Sequence, residues 1–216
     1  MKLCVVAGIH GNERFGLRVL EMLKGEDVQK VVANKEALKE NRRFIDTDLN
    51  RSFPGNPLSP SYEERRAYEL LKEIRCNKVI DLHSSTSNTP PFAIIVNTKP
   101  ETLNLAMSTG IKRICLMTPE LANGRSLIDH VRAGVSLEMG RHEDPFIIIR
   151  AYEFIMNALR GNARTTPEFY EITGVEKDMN AKARNFEFNG RYYPVLVDEA
   201  SYKGIKCLKA RKVSGF

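Results

Sequence analysis

Along the first 160 residues, short apolar runs alternate with longer stretches whose apolar positions recur every three to four residues. Leu3 to Ala7, Gln29 to Ala33, Lys78 to Leu82, Phe92 to Val96, Arg113 to Met117 and Ala133 to Leu137 are runs of five with turn or polar residues around them, which predicts buried strands. Phe15 to Leu23, Ser61 to Ile74, Pro100 to Met107 and Pro145 to Leu159 carry the helical rhythm, and Ser61 with Glu64 three residues on has the spacing of a capping box. Such alternation predicts an α/β architecture: a largely parallel or mixed central sheet flanked by helices. Gly161 to Pro167 reads as a linker. Beyond it, Phe169 to Ile172, Phe186 to Phe188 and Tyr192 to Val197 are short strand-like segments, with the hairpin signal Asn189-Gly190 between the last two, so residues 161–216 form a small β-rich C-terminal region.

Two predicted strands end in residues that do not belong in a core. After Leu3 to Ala7 the chain passes Gly8 and Gly11 and carries His10 and Glu13, where strand gives way to helix. The Lys78 to Leu82 strand ends on His83 and runs into Ser84-Ser-Thr-Ser-Asn88. In open parallel sheets the carboxyl ends of strands line the ligand crevice, so the two ends can converge there. Two imidazoles and a carboxylate are the ligand set of a catalytic zinc site, which keeps a fourth position for water and points to a hydrolase. Asp81 is two residues before His83 on the same strand face, in place to hold the imidazole from behind. His130 and His142 lack such a setting and read as ordinary surface or structural residues.

Composition narrows the picture. With 216 residues and 42% hydrophobic content, the chain can bury one good-sized core. Cys4, Cys76, Cys115 and Cys207 show no metal or disulfide spacing and read as reduced thiols. No apolar run reaches the roughly twenty residues of a membrane span, and the N-terminal run breaks at His10, too early for a secretory signal; a soluble cytoplasmic protein with no membrane partner is expected. The net charge is +6, but 33 lysines and arginines are interspersed with 27 acids, without a basic tail or interleaved aromatics, so no nucleic-acid partner is expected. A mild positive field suits a small anionic substrate. The sequence leaves open whether copies assemble into a homo-oligomer.

A second polar block, Arg42-Arg43-Phe-Ile-Asp46-Thr-Asp48-Leu-Asn50-Arg51, is by composition either a solvated loop of ion pairs or a carboxylate-binding device, since arginine beside asparagine supplies forked and amide hydrogen bonds. Together, Gly8-Ile-His-Gly-Asn-Glu13, Arg43-Phe-Ile-Asp-Thr-Asp-Leu-Asn-Arg51, Asp81-Leu-His-Ser-Ser-Thr-Ser-Asn88, Val135-Ser-Leu-Glu-Met-Gly140 and Tyr193-Pro-Val-Leu-Val-Asp-Glu-Ala-Ser-Tyr202 resemble the aspartoacylase and succinylglutamate desuccinylase family of zinc carboxypeptidase-like hydrolases, closest to aspartoacylase.

The resemblance implies one zinc ion per chain held by His10, Glu13 and His83. Glu138 activates water, and Arg43 polarises the scissile carbonyl. Asn50 and Arg51 grip one substrate carboxylate, Arg125 a second, and Tyr202 closes over the substrate. Residues 1–160 would be the zinc-dependent hydrolase domain, with 161–216 completing the substrate site. The activity implied is deacylation of N-acyl acidic amino acids such as N-acetylaspartate; desuccinylation of succinylglutamate, carboxypeptidase action and a non-catalytic zinc-binding role are the alternatives. Each residue has a structural rival: Glu138 as a plain strand-end carboxylate, Arg42 in place of Arg43, Arg51 paired with Asp46 or Asp48, and Tyr202 as packing. The resemblance departs at Leu121, where the family pattern has a tyrosine, and in a shorter C-terminal region, so the hydrolytic core is kept while the substrate-fitting periphery changes.

Overall fold

The computed structural model describes residues 3–118, 124–178 and 183–216. Its strands are β1 (Leu3–Ala7), β2 (Val28–Val32), β3 (Lys78–Ser85), β4 (Phe92–Ile95), β5 (Arg113–Leu116), β6 (Ala133–Arg141), β7 (Glu168–Glu176), β8 (Tyr193–Val195) and β9 (Cys207–Val213). Its α-helices are α1 (Phe15–Met22), α2 (Lys35–Glu40), α3 (Tyr62–Glu73), α4 (Pro100–Ser108) and α5 (Ile147–Arg160). All nine strands form one sheet in the order β2-β1-β3-β6-β4-β5-β7-β9-β8. The first four are mutually parallel; β4 runs antiparallel to β6 and parallel to β5 and β7, and β9 and β8 alternate in direction at the far edge.

The alternation along β1 shows how the layers are built. Leu3, Val5 and Ala7 face a core shared with α1, α4 and α5, while Cys4 and Val6 face a second core with Ala67 and Leu70 of α3. A strand buried on both faces has no polar position to spare, hence its unbroken apolar run. A third core, containing Phe92, Ile94, Cys115, Tyr170, Val195 and Leu208, lies under β4, β5 and the C-terminal strands. No helix among the described residues is long and apolar enough to cross a membrane.

The mixed α/β sheet expected from the sequence is present. Strands β1 and β3 to β6 begin where the pattern starts them, but β3 runs three residues further, through His83 to Ser85, and β6 four, through Glu138 to Arg141. The polarity that ended the predicted strands is the polarity of the site they carry.

Four details differ from expectation. Ser61 precedes α3 but makes no side-chain cap bond; the Tyr62 N–H donates instead to Asp46 Oδ2 at 2.7 Å. Helix α2, capped by Asn34 accepting from the Ala37 N–H, is too short and polar to show a rhythm. Phe186 to Phe188 is no strand: Phe186 sits at φ 62°, its ring packed edge-on against Phe92 and Tyr170. The Asn189-Gly190 turn still reverses the chain into β8, with the Asn189 side chain accepting from the Arg191 and Tyr192 N–H groups. Strand β9 escaped the pattern because Lys209, Arg211 and Lys212 interrupt it, in a strand whose buried positions are Cys207, Leu208 and Ala210.

Candidate active site

Parallel pairing of β1 with β3, Ala7 opposite Leu82, brings the residues that follow both strands to one edge of the sheet. After β1 a tight turn, closed by Glu13 N–H donating to the His10 carbonyl at 3.1 Å, puts the His10 and Glu13 side chains together. Gly11 is required in that turn, because a Cβ there would lie 2.2 Å from the Ala37 backbone carbon. His10 Nδ1 lies 2.7 Å from Glu13 Oε1 and His83 Nδ1 lies 3.2 Å from Glu13 Oε2, with the Ser84 N–H donating to the same Oε2 at 3.0 Å. One ligand atom from each of these three buried residues falls within 4.8 Å of the other two.

The outward nitrogens are held as well. His83 Nε2 is 2.7 Å from Asp81 Oδ2, and His10 Nε2 is 3.0 Å from Asp48 Oδ1. A carboxylate behind each imidazole fixes its proton on Nε2 and turns Nδ1 inward, the arrangement a metal-binding histidine needs. Burial works against charge on both rings, yet Glu13 and Asp48 leave His10 more basic than usual, and Asp81 and Glu13 do the same for His83. Glu13, whose burial alone would push it up, is held well below the carboxylate range by the two imidazoles. The donor set thus stabilises added positive charge at its centre, and its chemistry fits a divalent cation of the zinc type.

Around this triangle one cavity collects most of the residues singled out in the sequence. Arg43, Asn50, Arg51, Glu138 and Tyr202 line it together with His10, Glu13 and His83. Arg42 is excluded by position, paired with Glu40 at the surface, whereas the Arg43 guanidinium reaches Asp48 Oδ2 at 3.1 Å and comes within 3.6 Å of Glu13. Asn50 and Arg51 sit in a 3-10 turn, Leu49–Arg51, capped by Asp48. The Asn50 side-chain oxygen accepts from the Leu127 N–H at 3.1 Å, which leaves its NH2 group as a donor.

Glu138 stands beside His83 in the β3–β6 register and is half-buried. Burial pushes its carboxyl up to about 7; His83 opposes this, and Glu13 and Glu199 add to it. Tyr202 keeps its proton well beyond the usual range, because of burial first and Glu138 second.

Arg125 is not brought in. Its guanidinium lies half-exposed, 3.6 Å from Glu64 of α3, and it is not among the residues lining the cavity, because the α3 carboxylate offers a closer partner. Leu121 lies outside the described residues. His142 bonds Ser84 Oγ at 2.7 Å, and His130 stacks on Phe53.

Three carboxylates carry the site without having drawn notice as site residues. Asp48 bonds His10, Arg43 and the Asn50 N–H. Glu63, fully buried on α3, accepts from the Ile45, Asp46 and Thr47 N–H groups and from Asn34, fixing the loop that presents Arg43 and Asp48. Glu199 accepts from the Thr86 and Ser87 N–H groups and the Thr86 hydroxyl, tying the segment that carries Tyr202 to the loop after β3.

Residues 1–146 match the family model described as the succinylglutamate desuccinylase/aspartoacylase catalytic domain. The chain belongs to this family. A probable aspartoacylase of Acaryochloris marina is 34% identical over 123 residues, 49% of this chain and 42% of that protein. An N-acyl-aromatic-L-amino acid amidohydrolase (carboxylate-forming) B of Danio rerio is 28% identical over 185 residues, 71% of this chain and 58% of that protein. The chain thus spans about half the length of these curated relatives. Among solved structures, murine aminoacylase 3 superposes with a TM-score of 0.75 at 22% identity, over 99% of this chain and 95% of that one. The succinylglutamate desuccinylase of Chromobacterium violaceum gives 0.69 at 19%, over 98% and 84%. The fold is therefore the zinc carboxypeptidase-like one of the succinylglutamate desuccinylase/aspartoacylase family. The family match takes in every lining residue named above except Tyr202, which, like Glu199, lies beyond it.

Proposed function

We propose that the protein hydrolyses the amide bond of N-acyl amino acids, releasing a carboxylate and a free amino acid, with zinc held by His10, Glu13 and His83. The observation that carries this reading is the convergence of the buried His10–Glu13–His83 triangle with Glu138 and Arg43 on one cavity. Zinc in that place supplies a Lewis acid that polarises the amide carbonyl and makes water more acidic.

The chain's own residues do the rest. Glu138 accepts a proton from the attacking water and returns it to the departing amine nitrogen, a role that wants a carboxyl near neutrality. The Arg43 guanidinium, fixed by Asp48, donates to the carbonyl oxygen as negative charge gathers there, on the order of 3 kcal/mol of transition-state stabilisation. Arg51 and the Asn50 NH2 hold the α-carboxylate of the amino acid. Beyond residue 160, Leu196, Glu199, Ser201 and Tyr202 complete the cavity wall, Tyr202 as a protonated donor over the substrate. A structural zinc site needs neither a base nor an oxyanion donor, which argues against the non-catalytic reading. The four cysteines carry reduced thiols, which fits a reducing, cytoplasmic setting.

Amine release from N-acetyl and N-succinyl amino acids and from dipeptides, with zinc-loaded and chelated protein, tests the reading; hydrolysis of dipeptides alone, or of none of the panel, overturns it. Arg51→Ala is expected to raise KM by about 10²-fold with little change in kcat, since a bound carboxylate is held equally in ground and transition states. Asp81→Ala is expected to lower zinc affinity 10- to 100-fold, measured by competition with a chelating dye, because its 2.7 Å bond to His83 Nε2 is what orients that ring.

A further inference from the structure

The cavity holds few cations for the anions an acidic substrate would bring. N-acyl aspartate or glutamate carries an α-carboxylate and a side-chain carboxylate, and its carbonyl oxygen gains charge during the reaction. Among the described residues lining the cavity, the permanently charged cations are Arg43 and Arg51. Arg43 is engaged with Asp48 and Glu13 beside the reacting carbonyl, and Arg51 is the cation left for the α-carboxylate. Arg125 lies at Glu64. The neighbouring stretch 119–123 reads Pro-Glu-Leu-Ala-Asn and supplies no cation by sequence. A second substrate carboxylate would meet Glu138 and Glu199 without a positive partner, a large desolvation cost.

Of the remaining lining residues, Ser84, Ser85, Ser126, Ser136 and Ser201 are polar, and the others form one apolar wall. Ile94 and Val96, two residues apart, line it together with Met117, Ile128 and Leu196. All five belong to the core under β4, β5 and the C-terminal strands, and none is more than 9% exposed. Ile94 pairs with Ser136 across the β4–β6 ladder, two positions along from the Phe92–Glu138 pair, so the wall begins close to Glu138. At its other end Ile128 follows Leu127, whose N–H is bonded by Asn50. An amino acid held by its α-carboxylate at Asn50 and Arg51, with its amide at Glu138, projects its side chain between these two points.

Resting on the amidohydrolase reading above, we infer that the substrate's amino-acid side chain is apolar, of leucine or phenylalanine type, and that the rim of the third core is its binding surface. Burying such a side chain contributes a factor of about 10 to 200 in specificity, and an unpaired carboxylate is penalised further.

The test uses the zinc-loaded full chain and compares kcat/KM for N-acetyl-L-leucine and N-acetyl-L-phenylalanine with that for N-acetyl-L-aspartate. A preference of tenfold or more for the apolar pair is expected; equal or better turnover of the aspartate compound overturns the inference. Binding of the same three compounds to Glu138→Ala, read by calorimetry, separates this inference from the reaction itself. Tenfold tighter binding of the apolar pair supports it even if the wild-type chain turns nothing over, an outcome that would sink only the hydrolase reading. Tighter binding of N-acetyl-L-aspartate overturns it. Met117→Lys places a cation on the wall and is expected to shift the leucine-to-aspartate ratio at least tenfold toward aspartate; an unchanged ratio in the folded variant counts against the wall as the side-chain site.

Discussion

Glu138→Gln is expected to lower kcat about 10³-fold while zinc binding stays intact, and to make the metal-free protein more stable. The expected rate loss follows from removing the group proposed to take and return the proton, since general acid–base catalysis is worth roughly 10² to 10⁴ in rate. The pH profile gives a second reading. Only the ionised carboxylate accepts a proton, so wild-type kcat/KM falls as pH drops through the Glu138 pKa. Burial pushes that value up to about 7 in the chain alone, and a bound cation draws it back toward the ordinary 4.5. The acid limb therefore lies between those values, and Glu138→Gln lacks it.

The stability change has the opposite sign for the same cause. A carboxyl whose pKa is raised on folding binds its proton more tightly in the folded chain than in the unfolded one. Nothing is lost below pH 4.5, the penalty grows between 4.5 and about 7, and it is complete above that. With some discount for the solvent that reaches a half-buried group, the neutral amide restores on the order of 1–3 kcal/mol at pH 8. Thermal melts of chelated wild type and variant at pH 8 and pH 4 check this. Equal stability at pH 8, or undiminished turnover, would take Glu138 out of the proposed chemistry.

How far the sequence reveals such a site depends on where each side chain finds its partner. His10, Glu13 and His83 were legible because polar residues at the ends of apolar strands stand out, and because parallel strands deliver their carboxyl ends to one edge, whereas Glu138 came only with the family resemblance. Asp48, Glu63 and Glu199 were not, since their partners are backbone N–H groups and rings up to 113 residues away, and nothing in a local pattern tells a carboxylate that cradles a loop from one that faces water. Arg125 departs in the reverse direction. The resemblance implied a substrate contact, but folding places Glu64 beside it and leaves it off the cavity lining. The sheet order was also hidden: β4 sits between β6 and β5, antiparallel to β6 and parallel to β5, a crossover that apolar periodicity does not encode, and it opens the third core onto the cavity. The wall that carries His10, Glu13, His83 and Glu138 was thus written locally, whereas the apolar wall arises from strand order.

His83→Gln separates a metal centre from a mere ion-pair cluster. Alanine at this position would strand the fully buried Asp81 carboxylate, at a cost of about 3–5 kcal/mol that would mask any effect on ion binding. Glutamine can keep an N–H donor toward Asp81 Oδ2 while removing the Nδ1 that faces Glu13. If the triangle binds zinc as proposed, the ion at a hundred times its dissociation constant would stabilise the wild-type fold by about 2.7 kcal/mol. For a chain of this length that raises Tm by roughly 5–10 °C over chelated protein. The variant is expected to melt near the chelated wild-type temperature, to show no rise when zinc is added, and to lose activity by more than about 10³-fold, because two protein ligands no longer fix the ion against water. If His83→Gln kept the zinc-dependent rise and its turnover, the ion would sit elsewhere, and His10, Glu13 and His83 would be only a buried hydrogen-bonded triad.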